Sequence, residues 1–402
     1  GTLLISPLRL SHYPGPPKTD TFTQAFDTDF ATTYAALIAQ ITGHASYGAS
    51  DQGGGVIGIQ AADTTQDLGG VTSTYTDYDT DITMTQSTTT GMTGGDTVDL
   101  EALGNYDYVR VGDATALVLE NMATGGTVVV DDANSYVSVE VKDADTTAAD
   151  VLNIIVEAED AAETAGTVAA NDVETFNITA TDLDADDNAD GAITFAANGD
   201  AVTTINIDGD ADLTLTSNSS VLEAVNAAEL AGDLTFTAGV AQLEVTGGAG
   251  DDSITADAAQ VVINSGAGDD TIVINNTATS TIVDGGAGDD TYDVTGAKLG
   301  LETYATIQSF EAGDKMLLNA ASFVSTGIVA TEPEVLTDWL NAAYNQLDTN
   351  TASWFQHNGN TYVVENGATA GFQLAEDVVV KISGLVDLSD ASFNINGTLE
   401  MA

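Results

Sequence analysis

Short runs in which apolar residues alternate with polar ones recur along this chain and predict β-strands. From residue 204 onward the runs begin about 8 to 12 residues apart. This is the half-coil spacing of a β-solenoid and also the strand spacing of a sandwich. For residues 96–180 the pattern leaves both architectures open, so the first prediction is an all-β fold.

Further along the chain, three copies of a glycine-aspartate phrase favour a solenoid over a sandwich. They occupy residues 247–254, 265–272 and 285–292 and begin 18 and 20 residues apart. Each copy fits the nonapeptide G-G-x-G-x-D-x-U-x, in which a glycine-rich turn leads into a short strand and binds calcium. Copies one coil apart lie on the same edge of a parallel β-roll. The spacing therefore predicts a stack of calcium-binding turns.

Calcium binds six to eight oxygens, which is more than one short turn supplies. We therefore predict that stacked turns share Ca²⁺, with one ion between the turns at Asp252 and Asp270 and another between those at Asp270 and Asp290. The glycines permit positive φ and close backbone approach, so that carbonyl oxygens point inward. The three aspartates one position earlier are weaker candidates that face solvent. The full set of candidate ligands is Gly247, Gly250, Asp251, Asp252, Gly266, Gly268, Asp269, Asp270, Gly286, Gly288, Asp289 and Asp290.

The half-turns between the phrases lack the motif, which predicts that calcium lies along one edge only. The two extra residues between the second and third copies should fall in the turn at residues 275–280, where no ion constrains the chain.

Two other acidic clusters are ambiguous. Residues 208–212 form either a degenerate calcium turn or a solvated loop. Residues 182–190 alternate carboxylates like an EF-hand loop, but Asp187 and Ile193 stand where that loop needs Gly and Glu.

The amino-terminal part differs in composition from the rest of the chain. Four of the five prolines fall within the first 17 residues, which predicts an extended arm at residues 1–20. Apolar residues at spacings of three and four from Phe26 to Ile41 predict an amphipathic helix over about 21–42. The pattern gives no clear fold for the rest of 21–95. Because the chain begins at Gly1, we expect a processed product or a fragment.

The carboxy-terminal part predicts a small α+β cap. Residues 305–317 read as strand, turn and strand, and should cover the open end of the roll. A helix with an apolar face from Val335 to Leu347 follows, with Pro333 in its first turn, and then a hairpin with Asn358-Gly359 at its turn. The predicted segments are an arm (1–20), an amino-terminal segment (21–95), a β-rich domain (96–200), a calcium-binding β-roll (201–298) and a cap (299–402).

The net charge of the chain limits the classes of molecule that it is expected to bind. The 62 acidic residues against 7 basic ones give a formal charge of −55, which disfavours nucleic acid and makes compaction depend on cations. The absence of cysteine excludes disulfides and zinc-thiolate sites. No apolar run is long enough to predict a transmembrane helix, and the first residues do not read as a secretory signal.

At this point the chain resembles a family. The three phrases, residues 307–315, 354–364 and 378–388, and the upstream residues 121–130 are similar to the carboxy-terminal part of RTX-type bacterial surface-layer proteins. The resemblance implies calcium ligation by the three phrases and a secreted subunit that assembles with itself into a layer on the cell surface. It also implies a type I secretion role for the region after about Leu317. A cell-surface polysaccharide is a further candidate partner.

Two other functional classes stay open. A calcium-dependent adhesin or extracellular filament subunit would share the solenoid and the acidity. A β-helix enzyme acting on polysaccharide needs no linear motif, but only five basic residues lie after residue 95 and no H-E-x-x-H or G-x-S-x-G motif is present. We therefore expect a structural protein with no catalytic residues, in which His357 has a structural role.

Overall fold

The structure is a computed structural model in two compact units. The first comprises Gly1–Asn206 and Leu215–Val221, and the second Ile207–Thr214 and Leu222–Ala402. The residues that the structure describes are 2–10, 19–25, 47–53, 56–61, 68–69, 73–74, 82–85, 96–103, 107–112, 117–130, 136–144, 149–158, 163–183, 191–275, 279–297, 303–330, 335–367, 369 and 377–401. The division into five segments stays a prediction.

Nearly all the regular structure in the described residues is β. The helices are α1 (Leu100–Leu103) and α2 (Leu336–Gln346). The strands of the first unit and its boundary are β1 (Thr2–Leu10), β2 (Thr19–Ala25), β3 (Tyr47–Gly53), β4 (Val56–Ala61), β5 (Leu68–Gly69), β6 (Ser73–Thr74), β7 (Ile82–Thr85), β8 (Asp96–Asp99), β9 (Tyr108–Gly112), β10 (Leu117–Met122), β11 (Gly126–Val130), β12 (Tyr136–Val141), β13 (Val151–Ala158), β14 (Glu163–Ala170), β15 (Thr175–Asp182), β16 (Ile193–Asn198), β17 (Thr204–Gly209) and β18 (Leu213–Thr216).

The strands that follow belong to the second unit. They are β19 (Ala224–Leu230), β20 (Leu234–Ala238), β21 (Glu244–Thr246), β22 (Ser253–Ala256), β23 (Val262–Asn264), β24 (Thr271–Ile274), β25 (Ile282–Asp284), β26 (Thr291–Asp293), β27 (Ala305–Ile307), β28 (Lys315–Leu317), β29 (Ser322–Val324), β30 (Thr351–His357), β31 (Asn360–Asn366), β32 (Val378–Ile382), β33 (Ser392–Phe393) and β34 (Thr398–Glu400).

In the amino-terminal part β1 pairs antiparallel with β2, β5 and β6. About half of the predicted arm is therefore a paired strand. The helix expected from about Thr21 does not begin there, because Thr19–Ala25 forms β2; the alternation of threonine with other residues at this point favours a strand. The apolar positions from Phe26 to Ile41 lie outside the described residues.

The rest of the first unit is built from two parallel sheets whose strands alternate along the chain. One sheet has the order β8-β10-β12-β14-β16 and the other β7-β9-β11-β13-β15. Each coil contributes one strand to each sheet, which is the arrangement of a solenoid. A sandwich is built from antiparallel sheets. The parallel pairing therefore favours the solenoid over the sandwich, the two alternatives left open for residues 96–180.

The coils of the first unit are held by apolar side chains and an asparagine stack. Val128, Ile154 and Ile178 are in register across β11, β13 and β15 and are at most 1% exposed. Outside this core, the side-chain amide of Asn177 donates to Oδ1 of Asn153 at 2.8 Å. Successive coils in this register are 26 and 24 residues long, longer than two nonapeptides.

In the second unit the two sheets run β20-β22-β24-β26-β28 and β19-β21-β23-β25-β27 with parallel pairing. Ala256 pairs with Ile274, a step of 18 residues, whereas Val262 pairs with Ile282, a step of 20. The two extra residues therefore enter between Ile274 and Ile282. This confirms the turn predicted for the insertion.

The predicted strand-turn-strand at 305–317 forms β27 and β28, but these strands do not cover the end of the roll. They continue its two sheets by one more coil. Beyond them, β32 pairs parallel with β27, and β34 pairs antiparallel with β28. The edges that β27 and β28 leave are thus paired by strands from the end of the chain.

The hairpin and the helix predicted for the carboxy-terminal part are confirmed, but the helix begins at Leu336 after the N-cap Val335, so the expectation that Pro333 is in its first turn is wrong. The hairpin joins β30 to β31, and Asn358 and Gly359 at its turn have φ of 48° and 77°, as a type I′ turn requires. Stacked aromatic rings link α2 to the hairpin, with the ring centroids of Trp339 and Phe355 5.2 Å apart and those of Phe355 and Tyr362 5.3 Å apart. Residues 331–334, with Pro333, lie outside the described residues.

Among the described residues no helix is both long enough and apolar enough to cross a membrane.

Candidate functional site: stacked glycine-aspartate turns

The three phrases lie directly above one another at one edge of the second unit. In each phrase the second aspartate comes directly before β22, β24 or β26, and the first residues of these strands, Ser253, Thr271 and Thr291, are in register. Asp252, Asp270 and Asp290, which directly precede these three residues, therefore form a stack. The structure brings the predicted ligand residues together along one edge.

The motif aspartates form a column of buried carboxylates, which we call the inner column: Asp252, Asp270, Asp290 and Asp314. Each is at most 2% exposed. The main-chain N–H of one aspartate donates to Oδ1 of the aspartate one coil later, from Asp252 to Asp270 at 2.7 Å, from Asp270 to Asp290 at 3.0 Å and from Asp290 to Asp314 at 3.0 Å. At the other end, Leu234 N–H donates to Asp252 at 2.6 Å. The carboxylates thus tie successive turns together.

Burial makes these carboxyl groups hard to ionise. It raises the pKa of Asp252, Asp270 and Asp290 from 3.8 to about 6, while main-chain donors lower it and neighbouring aspartates raise it further. A buried carboxylate is disfavoured unless a cation or enough donors compensate its charge. The inner column therefore holds a series of negative charges that the protein alone compensates only in part.

Asp270 has a buried carboxylate oxygen, Oδ2, that the fold leaves without a donor. The hydroxyl of Ser265 lies near this carboxyl group and lowers its pKa, but it donates to the carbonyl of Gly285 at 2.8 Å. By contrast, Oδ2 of Asp252 accepts from Gly248 N–H at 2.7 Å. Buried polar atoms without a partner are rare, so Oδ2 of Asp270 marks a position suited to a cation.

The aspartates one position earlier form a second set, which we call the outer column: Asp233, Asp251, Asp269 and Asp289. Here the carboxylates bond in the opposite direction: Asp233, Asp251 and Asp269 each accept from the main-chain N–H of the aspartate one coil later, at 2.6 Å, 2.7 Å and 2.9 Å. The side chains of the three phrase members are exposed. They face solvent as expected, but Oδ1 of Asp251 and of Asp269 also accepts a hydrogen bond from the following turn.

Glycine is required in these turns for two reasons. A Cβ on Gly268 would collide with the carbonyl of Gly250, and one on Gly288 would collide with the carbonyl of Gly268. The second reason is backbone conformation: in the second and third phrases these glycines have positive φ, which strains any other residue. The positive values are Gly266 111°, Gly268 124°, Gly286 93° and Gly288 142°.

The first phrase differs from the other two in conformation. Gly247 and Gly250 do not have positive φ, so glycine is needed there for close approach alone. A Cβ on Gly247 would collide with the carboxylate of Asp252 and the carbonyl of Ser265, and one on Gly250 with Asp233. The second and third phrases thus match each other more closely than either matches the first.

Two aspartates of the columns were not among the ligands predicted from the sequence. Asp314 extends the inner column 24 residues after Asp290, and Asp233 begins the outer column 18 residues before Asp251. Burial is the main cause that raises the pKa of both. The sequence signal is a Gly-Asp pair directly before a strand, at 232–233 and 313–314. The first pair lies one 18-residue step before Gly250-Asp251 but lacks the rest of the phrase, and the second follows Asp290 by 24 residues, outside the 18- and 20-residue steps.

The two ambiguous acidic clusters separate in the structure. Asp212 accepts from Asp233 N–H at 2.8 Å, so one residue of the cluster at 208–212 contacts the first member of the outer column, while Asp208 and Asp210 are exposed. Of residues 182–190 only the first two are described, and Asp182 ends β15. The EF-hand resemblance rejected from the sequence gains no support from them.

The columns define how an ion would be held. In the described part of the chain no three His, Cys, Asp or Glu side chains lie together as a metal-binding group. Each of the three phrase turns places one carboxylate in each column, so an ion between these turns must take most of its oxygens from main-chain carbonyls. The close approach of stacked glycines exposes those carbonyls, which suits an oxygen-binding cation such as calcium.

Without calcium, the second unit should lose stability as the pH rises from about 4 to about 6. The pKa values near 6 in the fold exceed the ordinary 3.8, so the folded state binds more protons in this window and is favoured at its lower end. One pKa unit corresponds to about 1.4 kcal/mol. Calcium, which binds the ionised form, should reverse the trend.

Urea unfolding of calcium-free protein at pH 5 and pH 7.5, repeated with calcium, measures this dependence. Asp270→Asn should make it shallower, whereas Asp257→Asn, an exposed aspartate outside both columns, should leave it unchanged. Greater stability of the calcium-free protein at pH 7.5 than at pH 5 would refute the burial argument.

Comparison of the chain with protein-family models and with curated proteins gives no match. The interpretation of the site therefore rests on the stacked turns themselves and on the sequence resemblance described above.

Proposed function

We propose that this chain is a secreted calcium-binding structural protein that assembles with itself into a surface layer on a bacterial cell. The observation that carries the proposal is the inner column, in which buried aspartates recur at each turn and Oδ2 of Asp270 lacks a partner. Calcium between successive turns would compensate these charges.

Two ions account for the motif residues. One lies between the turns of Asp252 and Asp270, and the other between the turns of Asp270 and Asp290. Carbonyls of the stacked glycines complete each set of oxygens. Because ions bind only the ordered turns, calcium stabilises the folded roll by mass action. In low calcium the roll is loose, and outside the cell it becomes ordered.

A structural role suits the rest of the chain better than catalysis. Arg110 pairs with Glu157, and Lys142 pairs with Glu101 at 2.9 Å, so two of the few basic side chains already have acidic partners. His357 lies beside the rings of Trp339 and Tyr362, which suits a structural role. A regular stack of rigid coils provides long surfaces for self-association. A cell-surface polysaccharide is a further candidate partner.

The carboxy-terminal part has two proposed roles. Through β32 and β34 it pairs the edges of the last coil, and so acts as a cap that keeps the roll from adding strands at random. By its resemblance to surface-layer proteins of the RTX type, the region after about Leu317 also directs type I secretion.

Electron microscopy of the purified protein with and without calcium tests the proposed assembly. We expect planar lattices with calcium, and dispersed particles when calcium is removed or when Asp270→Asn is used. Asp257→Asn provides the control and should assemble normally. Fibres in place of sheets would support the filament or adhesin function, and dispersed particles at all calcium concentrations would exclude both.

A further inference from the structure

A second group of buried polar atoms lies in the carboxy-terminal part, away from the glycine-aspartate turns. Asn366 ends β31 and Asp377 precedes β32, and they are 1% and 0% exposed. The antiparallel register of these strands pairs Glu365 with Val378, so the next pair is Asn366 with Asp377. Gly367 N–H donates to Oδ1 of Asp377 at 2.8 Å, which fixes this arrangement.

Both side chains point toward the carboxy-terminal end of α2. Val364 and Val379, two positions before Asn366 and two after Asp377, pack in the core against this helix, and side chains alternate between the faces of a strand. The Nδ2 of Asn366 confirms the direction, because it donates to the carbonyls of Leu347 at 2.9 Å and Asp348 at 3.3 Å. These carbonyls directly follow α2.

The orientation of the Asn366 amide leaves an oxygen without a donor. Since Nδ2 must face the two carbonyls, Oδ1 cannot exchange places with it. This Oδ1 is buried and has no hydrogen-bond partner. An unsatisfied buried acceptor costs about 1–3 kcal/mol, so this oxygen is suited to a hydrogen-bond donor or a cation.

The surroundings of Oδ1 are electronegative. The carboxylate of Asp377 lies on the same face, and the end of α2 carries the negative end of the helix dipole. Tyr344, in the last turn of α2, is 6% exposed. Burial first, and then the negative charges of Asp377 and Glu365, raise its pKa. The hydroxyl of Tyr344 therefore lies within the same negative field.

The described part of the second unit offers little positive charge to balance this group. Its lysines are Lys315 and Lys381. Lys381 is four residues along β32 from Asp377, a distance of about 13 Å at 3.3 Å per strand residue.

We infer that Asp377, Asn366 and Tyr344 form a calcium site at the carboxy-terminal end of α2, separate from the stacked turns. The carboxylate of Asp377, Oδ1 of Asn366 and the hydroxyl oxygen of Tyr344 are hard oxygen ligands of the type that calcium prefers. Main-chain carbonyls and water supply the remaining oxygens. The ion fixes α2 against β31 and β32, so this part of the chain also responds to calcium. This site does not depend on ion binding by the turns.

Counting bound calcium on the full chain, by equilibrium dialysis and atomic emission, tests the site. Asp377→Asn and Asn366→Leu should each bind about one ion fewer than the unchanged chain. The exposed aspartate change Asp390→Asn is the control and should bind as many ions as the unchanged chain. An unchanged ion count in both Asp377→Asn and Asn366→Leu overturns the site.

A milder variant covers the case in which those two fail to fold. Tyr344→Phe keeps the ring and removes only one oxygen ligand. It should weaken one class of calcium sites several-fold and reduce terbium luminescence excited through tyrosine, while Asp270→Asn leaves this class intact. Equal calcium affinity and equal luminescence in Tyr344→Phe and the unchanged chain contradict the proposal. Tighter binding of magnesium than of calcium at this site also contradicts it.

Discussion

Asp270→Ala should weaken calcium binding more than Asp290→Ala. The turn of Asp270 lies between the two others, so its carboxylate contributes to both proposed ions, whereas Asp290 contributes to one. An ion present at a hundred times its dissociation constant stabilises the fold by about 2.7 kcal/mol. Loss of both ions should therefore remove about twice the calcium-dependent stability that loss of one removes.

The measurement is the difference in unfolding free energy with and without calcium, because this difference cancels effects on the calcium-free fold. Such effects are expected. Each alanine also leaves a main-chain N–H of the preceding coil without its acceptor, Asp252 N–H in one case and Asp270 N–H in the other. Asp257→Ala, at the opposite turn of a coil, is the control. Equal losses for Asp270→Ala and Asp290→Ala would argue against the shared position of Asp270.

Gly268→Ala should destabilise the second unit strongly, with or without calcium. At φ of 124° an L-residue is strained by roughly 1–2 kcal/mol, and the added Cβ would also collide with the carbonyl of Gly250. We expect a loss of more than about 2 kcal/mol in chemical unfolding. The strain lies in the turn itself, so calcium should not restore the loss.

Gly239→Ala is the matched control for this change. Gly239 lies in the same unit, does not have positive φ, and has no atom within 4 Å of the position of an added Cβ. Alanine at such a site should be neutral or stabilising by about 0.4–1 kcal/mol. If both variants unfold alike, the turn geometry described here is wrong.

Local sequence determined much of the second unit. The phrase spacing predicted which turns stack, and the two-residue difference predicted where the insertion enters. The Asn358-Gly359 pair predicted a hairpin turn, and its positive φ values confirm the reason. In each case a few neighbouring residues carry the signal, because the turn type or coil length depends on them alone.

Long-range pairing was harder to predict. The strands of residues 96–180 have the same alternation whether they pair in parallel or antiparallel, so their sequence did not separate a solenoid from a sandwich. Asp314 was missed because the last coil is 24 residues long, outside the nonapeptide spacing. The calcium site inferred at Asn366 and Asp377 depends on a contact between a helix end and two strands, which no linear motif records.

The two units also differ in what holds their coils together. In the first unit the core includes Val128, Ile154 and Ile178, with stacked asparagines outside it. In the second, smaller coils add buried aspartates that repel one another. Calcium removal should therefore loosen the stacked turns far more than the coils of the first unit.

Amide hydrogen exchange with and without a calcium chelator tests this account most directly, because it reports each segment separately. With calcium, residues 247–294 should exchange slowly. After chelation their protection should fall by orders of magnitude, while the strands at 126–130, 151–158 and 175–182 keep theirs. Equal protection of residues 247–294 in both conditions would contradict the claim that calcium orders the roll.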